Sequence, residues 1–119
     1  MSDIPVPGKA VRGSRSGSPI MAMFDLLGRR WAMGVLWQLY EHGPCTFRGL
    51  QEFCESISPA VLNSRLKELK AAGFVTHGEG GYQVTDFGVE VYKALLPLSK
   101  VSKEWAKKIA DTNVNAGAE

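Results

Sequence analysis

The sequence predicts a mostly helical α+β fold in which a pair of helices leads directly into a β-hairpin. Residues 58–73 (SPAVLNSRLKELKAAG) carry signals for both ends of a helix, and a short amphipathic segment, 46–54, precedes them. Residues 74–77 and 82–85 alternate apolar and polar side chains around a Gly-Glu-Gly-Gly turn. Two short helices followed by a hairpin is the order of a winged helix-turn-helix.

Residues 58–73 form the element around which the rest is arranged. Ser58 is predicted to cap the helix, Pro59 suits its first position, and Gly73 supplies a left-handed residue at its end. Three leucines at i, i+4 and i+7 predict one buried stripe: Leu62, Leu66 and Leu69. Both the bounds and the inner face of this helix are therefore predicted.

The remaining face of this helix is small, polar and cationic, and it is formed by Pro59, Ala60, Asn63, Ser64, Lys67 and Lys70. Taken alone, such a face is compatible with a plain solvated helix surface. The preceding segment 46–54 and the short connection through 55–57 favour a second interpretation. In a helix-turn-helix the second helix enters the DNA major groove, where a small polar face is required.

An ordered set of residues also carries a family resemblance. It runs through DLLGRRW at 25–31, Gly-Pro at 43–44, the segment 57–73 with its Arg-Leu and Glu-Leu pairs, and Tyr82 with Val84-Thr85 and Gly88. This set resembles the HxlR family of winged helix-turn-helix transcriptional regulators over most of residues 19–109. The resemblance implies a homodimeric bacterial or archaeal transcription factor that binds double-stranded DNA at a palindromic operator.

Two positions depart from the resembled family. In the resembled family, a cysteine often stands just before the proline of the first helix and senses oxidants or electrophiles. This chain has Ser18 at that position, so thiol sensing of that kind is not expected there. The family hairpin is usually longer and contains arginine and proline, whereas Glu79 lies between glycines here. An acidic, short wing predicts weak minor-groove contact.

The DNA contacts expected from this arrangement divide by chemistry. Asn63 and Ser64 can hydrogen-bond base edges, and Pro59 and Ala60 can meet thymine methyl groups. The residues expected to form the DNA-binding surface are Arg48, Ser58, Pro59, Ala60, Asn63, Ser64, Arg65 and Lys67. Arg48, Arg65 and Lys67 are assigned to phosphates. For Arg65, an intramolecular hydrogen bond is an equally open alternative.

The chain before residue 58 is predicted to hold an arm and two helices. Residues 1–17 are rich in glycine, serine and proline, and predict a flexible basic arm, with phosphate contact as the alternative. Ser18-Pro19 repeats the capping pattern of Ser58-Pro59 and starts a first helix that ends at Gly28. Residues 30–42 are apolar nearly all round, which predicts a central helix, and Gly34 within it predicts a closely approaching neighbour. Cys45-Thr46 is expected to add a short strand beside the wing.

Beyond the hairpin, Thr85 is predicted to cap a helix that breaks at Pro97. A last helix, at about 98–110, then carries a narrow apolar stripe and completes a single domain spanning 18–112, with 113–119 as a disordered tail. The residues expected at a dimer interface are Ile20, Phe24, Leu98, Val101, Trp105 and Ile109. The alternative is that this last helix folds back onto its own domain.

Composition bounds the function classes. The chain has 119 residues and a net charge of +2, which suits one soluble domain, and no apolar run is long enough to span a bilayer. Cys45 and Cys54 lack zinc-site spacing, and no paired carboxylates or phosphate-binding glycine loop accompany the two histidines. We therefore expect a cytoplasmic, non-enzymatic protein with no metal or cofactor.

Two alternatives to a plain DNA-binding dimer remain open from the sequence. A winged helix can serve only as a protein-interaction or dimerisation scaffold, in which case its recognition face would be large and apolar. A regulator can also sense a small-molecule effector in a pocket at the dimer seam, which Trp31, Met33, Trp37 and Trp105 suggest.

Overall fold

The computed structural model describes the backbone of residues 4–118 and the side chains of residues 4–112. It contains five helices and one two-stranded antiparallel sheet: α1 (Pro19–Leu27), α2 (Ala32–His42), α3 (Phe47–Phe53), α4 (Pro59–Ala71), β1 (Val75–Gly78), β2 (Gly81–Val84) and α5 (Asp86–Ala118). The predicted mostly helical α+β winged helix-turn-helix with a C-terminal helix is confirmed.

Helix α2 lies at the centre of the domain. Val35, Leu36 and Leu39 are almost fully buried, and the helix packs against α1, α3, α4, α5 and β2. The predicted close approach at Gly34 is wrong: Gly34 is exposed, and a Cβ there would meet nothing within 4 Å. The glycine lies on the outer side of α2, where no helix within the described residues covers it.

Two helix starts with the same Ser-Pro sequence differ in structure. At α4, the Ser58 hydroxyl oxygen accepts a hydrogen bond from the backbone N–H of Val61 at 3.2 Å, as predicted. At α1, the Ser18 side chain makes no capping bond, and its backbone N–H instead donates to the hydroxyl of Ser14 at 2.9 Å. The capping role expected of Ser18 is therefore wrong, since its hydroxyl makes no bond to the first turn of α1.

The wing is a short hairpin with a two-residue turn at Glu79 and Gly80. Its register pairs Val75 with Val84 and Gly78 with Gly81. The backbone of Cys45 exchanges two hydrogen bonds with that of Tyr82, at 3.1 and 2.8 Å. The short strand expected at Cys45-Thr46 is thus a single bridge at Cys45, because Thr46 already caps α3. Gly81 has φ +101° and lies against the Cys45 carbonyl, so this contact requires a residue without a Cβ.

Helix α5 begins where the wing ends and is anchored to α2. The Thr85 hydroxyl oxygen accepts from the backbone N–H of Gly88 at 3.0 Å, which confirms the predicted cap. Further along, the Tyr92 hydroxyl donates to the Glu41 carboxylate at 3.1 Å. The Tyr92 ring stacks on the rings of Trp37 and Tyr40, with centroid distances of 4.7 and 3.8 Å. The first two turns thus tie α5 to the domain.

The predicted break at Pro97 is wrong, because α5 is one helix of 33 residues with Pro97 inside it. A proline removes the hydrogen bond to the carbonyl four residues earlier, here that of Lys93. Both Lys93 and Pro97 are exposed, so water can satisfy that carbonyl. The sequence predicts a disordered tail at 113–119, but the backbone stays helical to Ala118. The side chains of 113–118 and all of Glu119 lie outside the described residues.

The N-terminal arm is folded against the domain from Ile4 onward. The Gly8 N–H donates to the Gly17 carbonyl at 2.9 Å, and the Arg12 N–H donates to the Asp25 carboxylate at 3.2 Å. Ile4 packs against the core. The expectation of a free leader over 1–17 therefore does not describe residues 4–17, and residues 1–3 lie outside the described part.

Candidate nucleic-acid interface

Helices α3 and α4 are joined by a turn whose geometry is fixed at several points. The Thr46 hydroxyl oxygen caps α3 by accepting from the Gly49 N–H at 3.0 Å. After α3, Cys54 and Ile57 are buried, and Glu55 between them adopts a left-handed φ of 59°. The two buried side chains anchor the turn in the core and thereby orient α4.

Helix α4 has two contrasting faces, as predicted. Leu62, Leu66 and Leu69 are at most 2 % exposed and face the core. The opposite face is in solvent along its whole length and consists of Pro59, Ala60, Asn63, Ser64, Lys67 and Lys70. We call these six residues the α4 polar face. The small residues lie at its N-terminal end and the lysines at its C-terminal end.

Arg65 does not belong to the α4 polar face. Its guanidinium pairs with Glu68, which also accepts a hydrogen bond from Arg29 in the loop between α1 and α2. The Arg65 side chain is only 18 % exposed. The intramolecular alternative left open by the sequence is the arrangement found, and Arg65 is not presented for the predicted phosphate contact.

The other residues expected to meet DNA are all exposed. Three ion pairs form within the described residues, and they join Arg12 to Asp25, Arg29 to Glu68 and Arg65 to Glu68. Arg48 on α3 and Lys67 on α4 belong to none of them. Ser58 is exposed, but its hydroxyl is used as the α4 cap. The wing tip carries an exposed Glu79, and its weak contact with DNA stays a prediction.

A second exposed surface is apolar. The six residues expected at a dimer interface are each between 45 % (Ile109) and 66 % (Trp105) exposed: Ile20, Phe24, Leu98, Val101, Trp105 and Ile109. Along α5, Val91 and Tyr92 are buried, but the apolar positions beyond Pro97 are not, because the helix continues past its own domain. We call the exposed residues Leu98, Val101, Trp105 and Ile109 the α5 stripe. The alternative of a back-folded last helix is not what the structure shows.

The aromatic and methionine residues suggested for a sensor pocket are not brought together as a group. Met33 and Trp37 line a cleft of about 260 Å³ with Leu95 and Leu98. Trp31 lies in a different depression beside Phe53 and Cys54, and Trp105 is on the outer part of α5. Only two of the four residues therefore share a cavity.

The two cysteines are free thiols in protected positions. Cys54 is buried and Cys45 is half-buried. Burial raises the pKa of both thiols, and the neighbouring Cys45 raises the pKa of Cys54 further. A thiol with a raised pKa holds less of the reactive thiolate at neutral pH.

Sequence reasoning missed a cluster of arginines around a cavity between α1, the α1–α2 loop and α4. Arg12, Arg29 and Arg30 belong to it together with Arg65. The adjacent arginines at 29 and 30 were noted only as part of a family pattern. Among the described residues, no group of three or more histidine, cysteine or acidic side chains is placed to bind a metal, and no helix is long and apolar enough to cross a membrane.

Comparison with known proteins agrees with this geometry. The family described as HxlR-like helix-turn-helix matches residues 26–110. An uncharacterized HTH-type transcriptional regulator of Bacillus subtilis, YybR, is 30% identical over 111 residues, which covers 87% of this chain and 84% of YybR.

Two solved structures are similar in fold and sequence. Quinone-bound YodB from B. subtilis has a TM-score of 0.61 and 30% identity, covering 76% of this chain and 97% of YodB. A possible HxlR family transcriptional factor from Thermoplasma volcanium has a TM-score of 0.66 and 25% identity, covering 76% of this chain and 86% of that one. The chain therefore belongs to the HxlR family of helix-turn-helix transcriptional regulators, which are DNA-binding proteins.

Proposed function

We propose that this regulator is a homodimer that binds a palindromic operator, with residues 58–70 as the recognition helix of each copy. The observation that carries the proposal is the α4 polar face. It is exposed at all six positions and has only small side chains in its N-terminal half, so that end of α4 can approach the floor of a major groove closely. No other surface described above combines small side chains, hydrogen-bonding groups and unpaired cations on one helix.

Each exposed residue of α3 and α4 has a role that follows from its chemistry. Asn63 and Ser64 supply donors and acceptors for base edges, and Pro59 and Ala60 supply apolar contact for thymine methyl groups. Lys67 and Arg48 are free to neutralise phosphates. Ser58 acts indirectly, because its capping bond fixes the first turn of α4. Arg65 ties α4 to the rest of the domain through Glu68 and makes no DNA contact.

The second copy is proposed to cover the α5 stripe together with Ile20 and Phe24 of α1. These side chains are apolar and large, and leaving them in water forgoes about 25 cal/mol for every Å² of apolar surface that a partner would bury. Two recognition helices held roughly 34 Å apart would then read two half-sites one duplex turn apart. The dimer therefore supplies the specificity that one short helix lacks.

The scaffold alternative is disfavoured by the chemistry of the α4 polar face. A helix that docks a protein partner presents large apolar anchors at i, i+3, i+4 and i+7. The exposed apolar side chains of the α5 stripe, and those of Ile20 and Phe24, lie outside the α4 polar face, and the proposed second copy covers them. A protein-only role would leave the polar face of α4 without a function.

Base readout by α4 can be tested on operator fragments selected from genomic DNA by the protein itself. We expect Asn63→Ala to lose discrimination at one base pair per half-site, worth about 1 to 3 kcal/mol, while affinity for unrelated DNA stays unchanged. Gln83→Ala, an exposed polar residue of the wing strand β2, is the matched control and should keep full discrimination. Unchanged discrimination in Asn63→Ala and Ser64→Ala alike would show that another element reads the bases.

A further inference from the structure

A cavity of about 740 Å³ lies where α1, the α1–α2 loop and α4 meet. Four of the chain's six arginines line it, and its acidic lining residues are Asp25 and Glu68. The arginines are Arg12, Arg29, Arg30 and Arg65. The cavity thus concentrates an excess of two positive charges in a protein whose net charge is only +2.

The arginines are incompletely neutralised. Glu68 is shared by Arg29 and Arg65, so one carboxylate faces two guanidinium groups. Asp25 lies 4.0 Å from the Arg12 side chain. Arg30 belongs to none of the ion pairs formed within residues 4–112. The Nε atom of Arg65 is buried and has no hydrogen-bond partner within the described residues. One donor of a cavity-lining arginine is therefore unsatisfied.

One wall of the cavity is apolar. Met21 is half-buried, and Phe24, which is also a contact of the proposed dimer, is 58 % exposed in a single copy, so this wall lies at the edge of that interface. Guanidinium groups bind carboxylates and phosphates through paired hydrogen bonds, and an adjacent apolar wall favours a ligand that also carries a hydrocarbon group. The charge excess matches two negative charges.

We propose that this cavity is an effector site for a small organic dianion, a phosphate monoester or dicarboxylate whose apolar group packs against Met21 and Phe24. The acidic group binds Arg30 and Arg12 and competes with Glu68 for Arg29 and Arg65. The site is separate from the α4 polar face and from the cleft beside Met33 and Trp37.

Binding there would act on α4, which is the step that rests on the proposed function. Arg65 and Glu68 both belong to α4, and Arg29 belongs to the loop before α2, so the shared carboxylate links the recognition helix to the first half of the domain. A ligand that withdraws Arg29 or Arg65 from Glu68 loosens this link. Operator affinity then depends on the ligand, and by linkage ligand affinity depends equally on operator.

The first test measures binding to the full chain without DNA, by titration calorimetry in low-chloride buffer. The probes are phenyl phosphate and phthalate as apolar dianions, inorganic phosphate as a dianion without an apolar group, and benzyl alcohol as an uncharged aromatic. We expect saturable binding of at least one apolar dianion, tighter than that of phosphate or benzyl alcohol. No saturable binding of either apolar dianion would overturn the proposal, as would equal binding of inorganic phosphate.

Charge substitutions locate the site. Arg30→Gln removes an exposed cation and should weaken dianion binding about tenfold or more, the usual value of a charge-assisted hydrogen bond. Lys100→Gln removes an exposed cation from α5, outside the cavity, and should change nothing. Equal effects of the two substitutions would assign the binding to net charge and overturn the site.

The second test measures operator affinity with and without the dianion. A change of more than about twofold in the native chain, absent in Arg30→Gln, supports the link to α4; no change would overturn that link. If Arg30→Gln weakens operator binding without any ligand and lowers its salt dependence, the occupant is the DNA backbone and the effector site is overturned. A chain that binds dianion but no operator would refute the proposed function alone, because the calorimetric result does not depend on DNA.

Discussion

Helix α4 exposes a polar face and helix α5 exposes an apolar stripe, so the two surfaces are chemically opposite. The α4 polar face is built from small side chains, an amide, a hydroxyl and two lysines. The α5 stripe consists of Leu98, Val101, Trp105 and Ile109, all large and apolar, with lysines on the other sides of the helix. Exposure alone does not distinguish them.

The difference between the two faces indicates two kinds of partner. Water is a good solvent for the α4 polar face, so only a partner with matching hydrogen-bonding groups and negative charge gains by displacing it. Water is a poor solvent for the α5 stripe, so a second apolar surface suffices. The α4 polar face is therefore suited to a nucleic acid, and the α5 stripe is suited to an apolar surface, which in the proposed dimer is the second copy.

The largest expected effect comes from the centre of the α5 stripe. Trp105→Ala removes a central aromatic contact and should weaken the free energy of dimerisation by about 2 kcal/mol or more per copy. The protein should therefore shift toward monomer, and operator affinity should fall by more than tenfold. Light scattering at micromolar concentration and fluorescence anisotropy with operator DNA measure the two consequences. Lys103→Ala, on a solvent-exposed side of the same helix outside the α5 stripe, is the control and should change neither the oligomeric state nor operator affinity.

Retention of the dimer and of native operator affinity in Trp105→Ala would break the assignment of the α5 stripe. A native chain that is monomeric under these conditions would do the same.

The next effect separates two neighbouring cations of α4. Lys67→Ala should weaken binding to every sequence alike and reduce the slope of log affinity against log salt by about one, because one phosphate contact is lost. Arg65→Ala should instead lower the free energy of unfolding by about 1 to 3 kcal/mol, because it removes a partner of the partly buried Glu68 carboxylate. Salt titrations and urea denaturation distinguish the two outcomes.

Arg65 would become a DNA contact after all if Arg65→Ala lowered the salt slope as Lys67→Ala does and left stability unchanged.

A smaller effect compares the two Ser-Pro helix starts. Ser58→Ala should destabilise the protein by about 1 kcal/mol, because the Val61 N–H loses its acceptor. Ser18→Ala should stay within about 0.5 kcal/mol of the native value, because the Ser18 hydroxyl caps nothing. Urea denaturation of both variants makes the comparison, and equal losses would contradict it.

The smallest expected effect is on the thiols. Because burial raises the pKa of Cys45 and Cys54, alkylation by iodoacetamide should be slow at neutral pH and accelerate only as pH rises toward the raised pKa values. Treatment with diamide or a quinone should therefore leave operator affinity unchanged, in the native chain and in a double Cys→Ser variant. Release of DNA by the oxidant from the native chain alone would identify one of these cysteines as a sensor.

The features that sequence predicts well here are those set by local signals. The bounds of α4 follow from Ser58, Pro59 and Gly73, and its inner face follows from the spacing of three leucines. The Thr85 cap and the hairpin turn are local in the same sense. None of these depends on what a distant part of the chain does.

The features that sequence did not predict depend on distant partners or on solvent. The Ser18 hydroxyl caps nothing, although the same Ser-Pro pair caps α4 at Ser58. Arg65 is turned away from the exposed face of α4, because its guanidinium pairs with Glu68, which also binds Arg29. Pro97 was expected to end a helix, but exposure of its turn makes the missing hydrogen bond tolerable. The arginine cavity was missed because its members lie up to 53 positions apart in sequence, from Arg12 to Arg65.

The unbroken α5 also has a mechanical consequence. At 1.5 Å per residue, its 33 residues span about 50 Å, comparable with the 55 Å longest extent of the molecule. The wing connects directly to its first turn, Tyr92 fastens it to α2, and the α5 stripe lies beyond Pro97. In the proposed homodimer, α5 would be fixed to its own domain at one end and to the partner's helix at the other, and it would therefore act as a lever arm. A change of only a few degrees in the angle between the two α5 helices would then move the proposed recognition helices by several ångströms, enough to take them out of phase with successive major grooves.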